Sequence, residues 1–217
     1  TFHAFAQPAK GDYAIQPVPF TKVHLHDQFW APKIETNRTV TIPYTLRKCR
    51  ETGRIDNFLK AAGKMPVGKI TEYPFDDSDL YKLIEGISYS LQVKPDAAMD
   101  QTLDSLIVII GDAQEPDGYL YTARTIDPLH PHAWSGMKRW DKERELSHEL
   151  YNSGQLYEAA AAHFAATGKR NLLNIALKNA DLVCSVFGQD KLHVAPGHQV
   201  VEMGLVKLFR ITGKQEY

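Results

Sequence analysis

The sequence repeats a short turn at a fixed interval. Thr-Gly-Lys occurs at residues 167–169 and again at 212–214, which is 45 residues later, and a weaker third copy lies at 89–99. Each Thr-Gly-Lys follows an apolar helical segment and precedes the start of another segment. A repeat of this length corresponds to a pair of helices, and stacked pairs form an open solenoid or a closed α/α toroid. The repeat therefore predicts an all-α fold built of helical hairpins.

Hydrophobic periodicity predicts where the helices lie. The predicted helices cover 33–52, 79–92, 96–114, 147–166, 170–187 and 199–211. The Pro- and Gly-rich residues 1–20 are predicted to form an extended arm. Loose alternation over 21–30 predicts one short strand, and residues 123–141 predict a long functional loop that contains Trp134 and Trp140. We divide the chain into this arm and a barrel segment over 21–217.

The length of the chain limits how much of a ring it can form. Six hairpins of this repeat length would need about 300 or more residues, whereas the chain has 217 and supplies about three pairs. We therefore predict a partial (α/α)6 toroid, the N-terminal part of a larger ring. Helix faces that the rest of the ring would cover are then exposed, which predicts homodimerisation or aggregation.

Composition excludes several classes of partner. The 25 basic and 26 acidic residues give a net charge of −1 without a clustered basic stripe, so no nucleic acid is expected as a partner. No apolar stretch is long enough to span a membrane.

Cys49 and Cys184 do not form a disulfide framework and are predicted to be buried, inert thiols. Ala4-x-Ala6 matches the end of a secretory signal and predicts a periplasmic or extracellular protein, with an arbitrary chain start as the alternative.

The segment SHELYNSGQL (147–156) comes within one residue of a zinc-protease helix. Asn152 stands where the second zinc-binding histidine would be needed, so we predict no metal there. His148, Asn152 and Gln155 instead follow at i, i+4 and i+7 and form a polar stripe. Such a stripe lines either a sugar-binding cleft or a solvated face. Gly154, in mid-helix, indicates close packing of a neighbouring helix.

Two further segments contain candidate site residues. His198 in APGHQVVE falls at a helix start, where it either faces the cleft or caps the helix. Asp77 and Asp79 in EYPFDDSD are favoured before a helix by its dipole, and paired carboxylates also serve glycoside hydrolysis. The His-x-His pairs at 24/26 and 130/132 lack a third ligand at metal-binding spacing, so we predict no metal at either pair.

Four segments carry a family resemblance: FDDSDLYKLIEGISYSL, QEPDGYLYT, SHELYNSGQLYEAAAAHFAATGKRNLL and PGHQVVEMGLVKLFRITGK. In order and spacing, over roughly 20–217, they resemble glycoside hydrolase family 127, the β-L-arabinofuranosidases. The resemblance implies an (α/α)6 barrel followed by β-sandwich regions, and removal of terminal L-arabinofuranose from plant glycans. It also implies a retaining mechanism with a cysteine nucleophile held as thiolate by zinc, and a separate Glu as acid/base.

The resemblance assigns substrate contacts by position. It implies sugar contact for His148 and His198 and a weaker role for Asp77 and Asp79, while Gln155 stands where relatives often have His after the glycine. It places the nucleophile, the zinc ligands and the acid/base Glu after the last residue of this chain. We therefore expect a carbohydrate substrate, no catalytic residue and no cofactor in this chain, and no activity from it alone.

Two alternatives remain open at this stage. The first is an unsaturated glucuronyl hydrolase on the same toroid, in which the Asp-Ser-Asp carboxylates would do the acid/base work. The second is a non-catalytic helical-repeat module that binds carbohydrate or acts as a scaffold.

Overall fold

The computed structural model describes residue 15 and residues 18–217. Most of the predicted arm over 1–20, including Ala4-x-Ala6, lies outside the described residues. Nine α-helices follow in the described part of the chain: α1 Trp30–Thr36, α2 Ile42–Glu51, α3 Arg54–Ala61, α4 Asp77–Val93, α5 Ala97–Asp112, α6 Thr122–Thr125, α7 Glu149–Thr167, α8 Asn171–Val186 and α9 Val200–Thr212. A π-helical segment, Asn37–Thr41, joins α1 to α2. The prediction of an all-α fold is confirmed.

The strand predicted over 21–30 is wrong. A 3-10 turn at Phe20–Lys22 occupies its beginning, and the following residues are irregular up to α1. Val23 and Leu25 are exposed to solvent. A strand needs a neighbour for its ladder of hydrogen bonds, and residues 18–217 contain no strand, only one isolated bridge between Phe187 and Leu192.

The helices form two layers. α7 packs between α4 and α9. Gly154 meets Val201 and Tyr157 meets Gly204, so α7 and α9 run in the same direction, and the following contacts show the same for α4 and α7. Phe75 and His148 touch where α4 and α7 begin, and Gln92 Nε2 lies 3.5 Å from Ala162 O near their ends. α5 and α8 pack behind this row, where Gln114 Nε2 donates to Ile175 O at 2.9 Å. An inner row backed by an outer row is the hairpin arrangement of an α/α toroid.

The core lies between these two layers. The inner face of α4 contributes buried aliphatic side chains, and α7 contributes Leu156, Tyr157 and a run of buried alanines. Leu172 and Leu173 of α8 close the core from behind. Because the buried residues of α7 include Ser153, Gly154 and four consecutive alanines, its neighbours can pack closely at those positions.

The predicted close approach at Gly154 is confirmed. A Cβ atom there would lie 2.5 Å from Val201 N and 2.6 Å from the carbonyl carbon of Val200, at the start of α9. One helical turn further on, a Cβ at Gly204 would lie 2.7 Å from Tyr157 Cβ. The two glycines let the backbones of α7 and α9 touch where any side chain would hold them apart.

The repeated turn has the same structure in both copies. Gly168 and Gly213 both adopt left-handed backbone, with φ of 70° and 73°, and end α7 and α9. The threonine hydroxyl of each turn accepts from the lysine amide, at 3.1 Å for Lys169 and 3.2 Å for Lys214. Each lysine ammonium then reaches carboxylates on an outer helix: Lys169 binds α5, and Lys214 binds Asp181 of α8. The turn thus ties each inner helix to the outer layer.

Several large apolar side chains are exposed along the first helical segments. Phe29, Trp30, Val40 and Tyr44 are each half exposed or more. The expected exposed helix faces are therefore present, and the association predicted from them stays a prediction. In the described part of the chain no helix is both long and apolar enough to cross a bilayer.

Candidate sugar-binding site

Aromatic and imidazole rings gather at the mouth where α4, α7 and α9 begin. The ring centroids of His148 and His198 are 5.2 Å apart. Phe75 lies 4.9 Å from His148, and Tyr151 lies 4.8 Å from His198. We call these four residues the mouth cluster. The structure thus brings together the two histidines that the sequence predicted as site residues.

The aromatic surface continues away from the mouth cluster. Tyr73 stacks on Phe75 with the centroids 5.3 Å apart, and Trp134 lies 5.9 Å from Tyr73. His132 packs edge-on against Trp134 at 5.8 Å. The predicted long loop therefore contributes rings to the same surface, although its first residues, Ala123 to Thr125, belong to α6.

His148 has a strained backbone. It is the residue before α7 and adopts left-handed φ and ψ of 57° and 32°, which is unfavourable for a residue with a Cβ. Its Nδ1 lies 2.9 Å from Leu146 O. A carbonyl can only accept, so Nδ1 carries the hydrogen, and Nε2 is the ring nitrogen left for a ligand. Strain of this kind persists only where the surroundings fix it, and it is concentrated at functional sites.

A buried carboxylate caps α7 in place of His148. Glu143 Oε2 accepts from the amides of Glu149 at 2.8 Å and Leu150 at 3.3 Å, and from Ser147 Oγ at 3.2 Å. Burial raises the pKa of Glu143, and these donors oppose that rise. The cap satisfies free amides at the helix start and leaves the His148 side chain available to the mouth.

Glu149 anchors the same helix start to the loop before it. Its carboxylate accepts from Tyr119 Oη at 2.7 Å and from Trp140 N at 2.8 Å, while Tyr121 Oη donates to Ser147 O at 2.6 Å. Burial raises the pKa of Glu149 to about 7. In the His-Glu pair, the histidine therefore faces the mouth and the glutamate is a buried anchor.

The predicted polar stripe is wrong at Asn152. That side chain is fully buried, and neither amide atom has a hydrogen-bond partner. Along this flank of α7, the partly exposed residues are His148, Tyr151 and Gln155. The helix is packed against α4 on one side and α9 on the other, so only a narrow strip reaches the open side. Sugar contact by Gln155 stays a prediction.

Asp79 lies beside a cavity next to the mouth cluster. A cavity of 570 Å³ lies between α2 and α4, and Asp79, Lys82 and Arg54 are among the residues that line it. Asp79 Oδ2 accepts from Arg54 Nε at 2.8 Å. Lys82 Nζ lies 3.8 Å from Asp79 Oδ1 and 5.1 Å from the centroid of the Tyr151 ring. Lys82 therefore connects this cavity to the mouth cluster.

The Asp77 side chain is bonded to Thr122 rather than to the mouth cluster. It is 1% exposed and accepts from Thr122 N at 2.8 Å and Thr122 Oγ1 at 2.5 Å. Burial raises the pKa of Asp77 to about 7, although the two Thr122 bonds lower it. In this structure Asp77 holds α6 against the start of α4, and its predicted contact with sugar is not tested by this arrangement.

The two cysteines do not fit a thiolate zinc centre. Cys49 and Cys184 are free and buried, and burial raises the pKa of both thiols. Among the described residues, the one group of three or more ionisable side chains close enough to share a metal ion contains no cysteine. No reaction step through zinc is therefore derived from the residues described.

Sequence reasoning missed most of the residues that position the histidines. Buried hydrogen bonds between separate segments of the chain give this role to Glu143, Tyr119 and Tyr121. Hydrophobic periodicity carries no information about such bonds. The aromatic residues left a weak signal: Tyr73 and Phe75 flank a proline just before α4, and Tyr151 lies three residues after His148.

Helical hairpins in two layers, with rings gathered at one mouth, define the class as an α/α-toroid domain. The family described as "Beta-L-arabinofuranosidase, GH127 catalytic domain" matches residues 22–217. The chain belongs to glycoside hydrolase family 127, as the four segments predicted.

Comparisons with individual relatives agree. A solved family-127 β-arabinofuranosidase is 52% identical, with a TM-score of 0.89 over 93% of this chain. A β-L-arabinofuranosidase structure from Geobacillus stearothermophilus T6 is 38% identical, with a TM-score of 0.81 over 89% of this chain. The non-reducing end β-L-arabinofuranosidase of Bifidobacterium longum subsp. longum is 37% identical over 145 residues, or 66% of this chain. The chain spans 21% of that protein and 32% and 31% of the two structures.

Proposed function

We propose that this chain forms part of the sugar-binding wall of a glycosidase that removes terminal β-L-arabinofuranose from plant glycans. The observation that carries the proposal is the mouth cluster, in which His148 and His198 converge beside two aromatic rings. Ring faces offer apolar contact to the C–H groups of a sugar, and imidazole nitrogens bond its hydroxyls. Small-molecule sites combine an apolar lining with a few fixed polar groups in this way.

The two histidines have different parts in this proposal. His148 Nε2 accepts a hydrogen bond from a sugar hydroxyl, because Nδ1 is engaged by Leu146 O. His198 is exposed and adds a contact from the opposite side. Gln155 and Asp79 extend the polar surface from the mouth cluster toward the cavity between α2 and α4. The chemical step, a thiolate attack assisted by a carboxylic acid, is assigned to residues that this chain does not supply.

The unsaturated glucuronyl hydrolase alternative has less support. It needs the Asp-Ser-Asp carboxylates to act on one substrate, whereas Asp77 is buried on Thr122 and Asp79 lies beside the α2–α4 cavity. The scaffold alternative gives no reason for the strained backbone at His148. We also propose export of the protein, since plant glycans are extracellular polymers.

The test is hydrolysis of an aryl β-L-arabinofuranoside by the whole protein that carries this chain. His148→Ala is expected to lower kcat/KM at least tenfold, and Val108→Ala, at an exposed position of the outer helix α5, to leave kcat/KM unchanged. Activity on an unsaturated uronide in place of the arabinofuranoside would support the first alternative. Full activity of His148→Ala and of His198→Ala would refute the proposed role of the mouth cluster.

A further inference from the structure

The first Thr-Gly-Lys turn contains a donor set that the second lacks. Asp100 and Asp104 lie one helical turn apart on α5, and His163 of α7 faces them. One carboxylate oxygen from each aspartate and one ring nitrogen of His163 all lie within 4.8 Å of one another. In the second turn, the residue equivalent to His163 is Leu208, which is fully buried.

His163 is a buried polar group without a hydrogen-bond partner. Its side chain is 0% exposed, and neither Nδ1 nor Nε2 has a partner. Leaving a buried polar group without a hydrogen bond destabilises the folded state. The leucine at the equivalent position shows that the turn can be built with an apolar side chain there. The histidine therefore needs an explanation beyond packing.

The two aspartates have a cation beside them in this structure. Lys169 Nζ lies 2.8 Å from Asp100 Oδ1 and 2.7 Å from Asp104 Oδ2. The lysine side chain is 36% exposed, so it can turn into water without unfolding the turn. Asn171 Nδ2 donates to the other Asp104 oxygen at 2.9 Å and orients that carboxylate, as second-layer groups do at metal sites.

We propose that Asp100, Asp104 and His163 bind one Zn²⁺ ion, in competition with the ammonium group of Lys169. One imidazole and two carboxylates are suitable ligands for zinc, and the aspartates are open enough for water to complete a tetrahedron. Ligand atoms around tetrahedral zinc are roughly 3.3 Å apart, so the three groups move together by about 1 Å when the ion binds. The ion would satisfy one of the two orphaned nitrogens and tie α5 to α7.

Zinc titration of the chelator-treated protein tests the proposal, with binding measured by calorimetry and the melting temperature measured in parallel. The whole protein that carries this chain is expected to bind one equivalent at this site, in addition to the zinc of the cysteine centre that the family resemblance implies. His163→Leu, which copies the second turn, is expected to weaken binding at least tenfold and to keep the fold. Lys169→Met is expected to bind more tightly than the wild type, since the competing charge is gone and the stem of the side chain is kept.

Several outcomes would overturn the proposal. A wild type that binds zinc at the cysteine centre alone would do so, and so would equal affinity of wild type and His163→Leu for the additional equivalent. If His163→Leu proves unstable, Asp100→Asn with Asp104→Asn gives a second reading, because it removes both carboxylates and keeps the shape of the side chains. Unchanged affinity in that double variant contradicts the site as well. A Lys169→Met variant that binds zinc more weakly than the wild type would contradict the competition.

Discussion

The start of α7 and the start of α9 bring one histidine each to the same mouth, but they hold it differently. At α7, Glu143 and Glu149 fix the backbone around His148 with buried hydrogen bonds. At α9, the residue before the helix, Gln199, makes no side-chain cap, and His198 is exposed. The rings nevertheless meet at 5.2 Å. The mouth thus combines one histidine of fixed position with one that can adjust to a ligand.

The largest expected effect comes from removing the contact that sets α9 against α7. Gly154→Ala places a methyl group 2.5 Å from Val201 N, where only backbone could move to relieve it. We expect a loss of about 3 kcal/mol or more in the free energy of unfolding, because overpacking alone costs about 1–3 kcal/mol and the clash here is with backbone. Urea denaturation of the wild type and of Gly154→Ala measures this difference in the free energy of unfolding.

Gly86→Ala is the matched control for that experiment. Gly86 also lies within a helix, α4, but a Cβ there meets nothing within 4 Å. The substitution is expected to stabilise the protein by up to about 1 kcal/mol through helix propensity. Equal destabilisation by Gly154→Ala and Gly86→Ala would mean that the close approach of α7 and α9 at Gly154 is not the cause of the loss.

The next largest effect is expected from removing the Glu143 cap at the start of α7. Glu143→Ala leaves the amides of Glu149 and Leu150 without their acceptor in a buried position, so we expect about 2 kcal/mol of destabilisation. Gln199→Ala at the start of α9 removes no cap and is expected to change stability by less than about 0.5 kcal/mol. Thermal unfolding of both variants compares the two helix starts directly, and similar losses would remove the contrast between them.

Glu149 gives the fixed helix start a dependence on pH. Burial raises its pKa to about 7 from an ordinary value of 4.5, so the folded state holds a proton that the unfolded state has lost between these values. Its contribution to stability is therefore present below pH 4.5 and is lost as the pH rises toward 7. We expect Glu149→Gln to reduce the difference in stability between pH 6 and pH 8 by about 1–2 kcal/mol, because pH 6 lies about one unit below the raised pKa and each unit is worth about 1.4 kcal/mol. Identical pH dependence in the two proteins would contradict this assignment.

The smallest expected effect compares glycine with alanine at each histidine. At position 148 the backbone has positive φ, so His148→Gly should be more stable than His148→Ala by about 1 kcal/mol. Position 198 has no positive φ, so alanine there should be at least as stable as glycine. The melting temperatures of the four variants, glycine and alanine at positions 148 and 198, measure these differences. If glycine is the more stable residue at both positions, backbone strain does not distinguish the two histidines.

The sequence predicted what depends on local periodicity. Six helical segments, the Thr-Gly-Lys turns and the close approach at Gly154 all leave a pattern in neighbouring residues, and all are confirmed. The strand at 21–30 was wrong because alternation says nothing about whether a partner strand exists. Asn152 was placed on the open side because a helical stripe cannot show that helices pack on both of its flanks.

Other features depend on residues far apart in the chain. Glu149 is bonded by Tyr119, and Glu143 caps a helix that begins six residues later, so neither role has a local signature. The group formed by Asp100, Asp104 and His163 was not predicted, because its ligands come from helices about 60 residues apart. The resemblance to the family identified His148 and His198 without any such geometry.

The Thr-Gly-Lys turn also has a consequence for how such a chain can change in length. Each lysine must reach an acidic residue on a helix of the outer layer. The turn therefore constrains the length and register of the pair of helices before it. One residue inserted into α8 would rotate Asp181 by about 100° away from Lys214. A whole hairpin could be gained or lost without disturbing that reach. We therefore expect natural length variation to fall in the segment between α6 and α7, or in units of one hairpin.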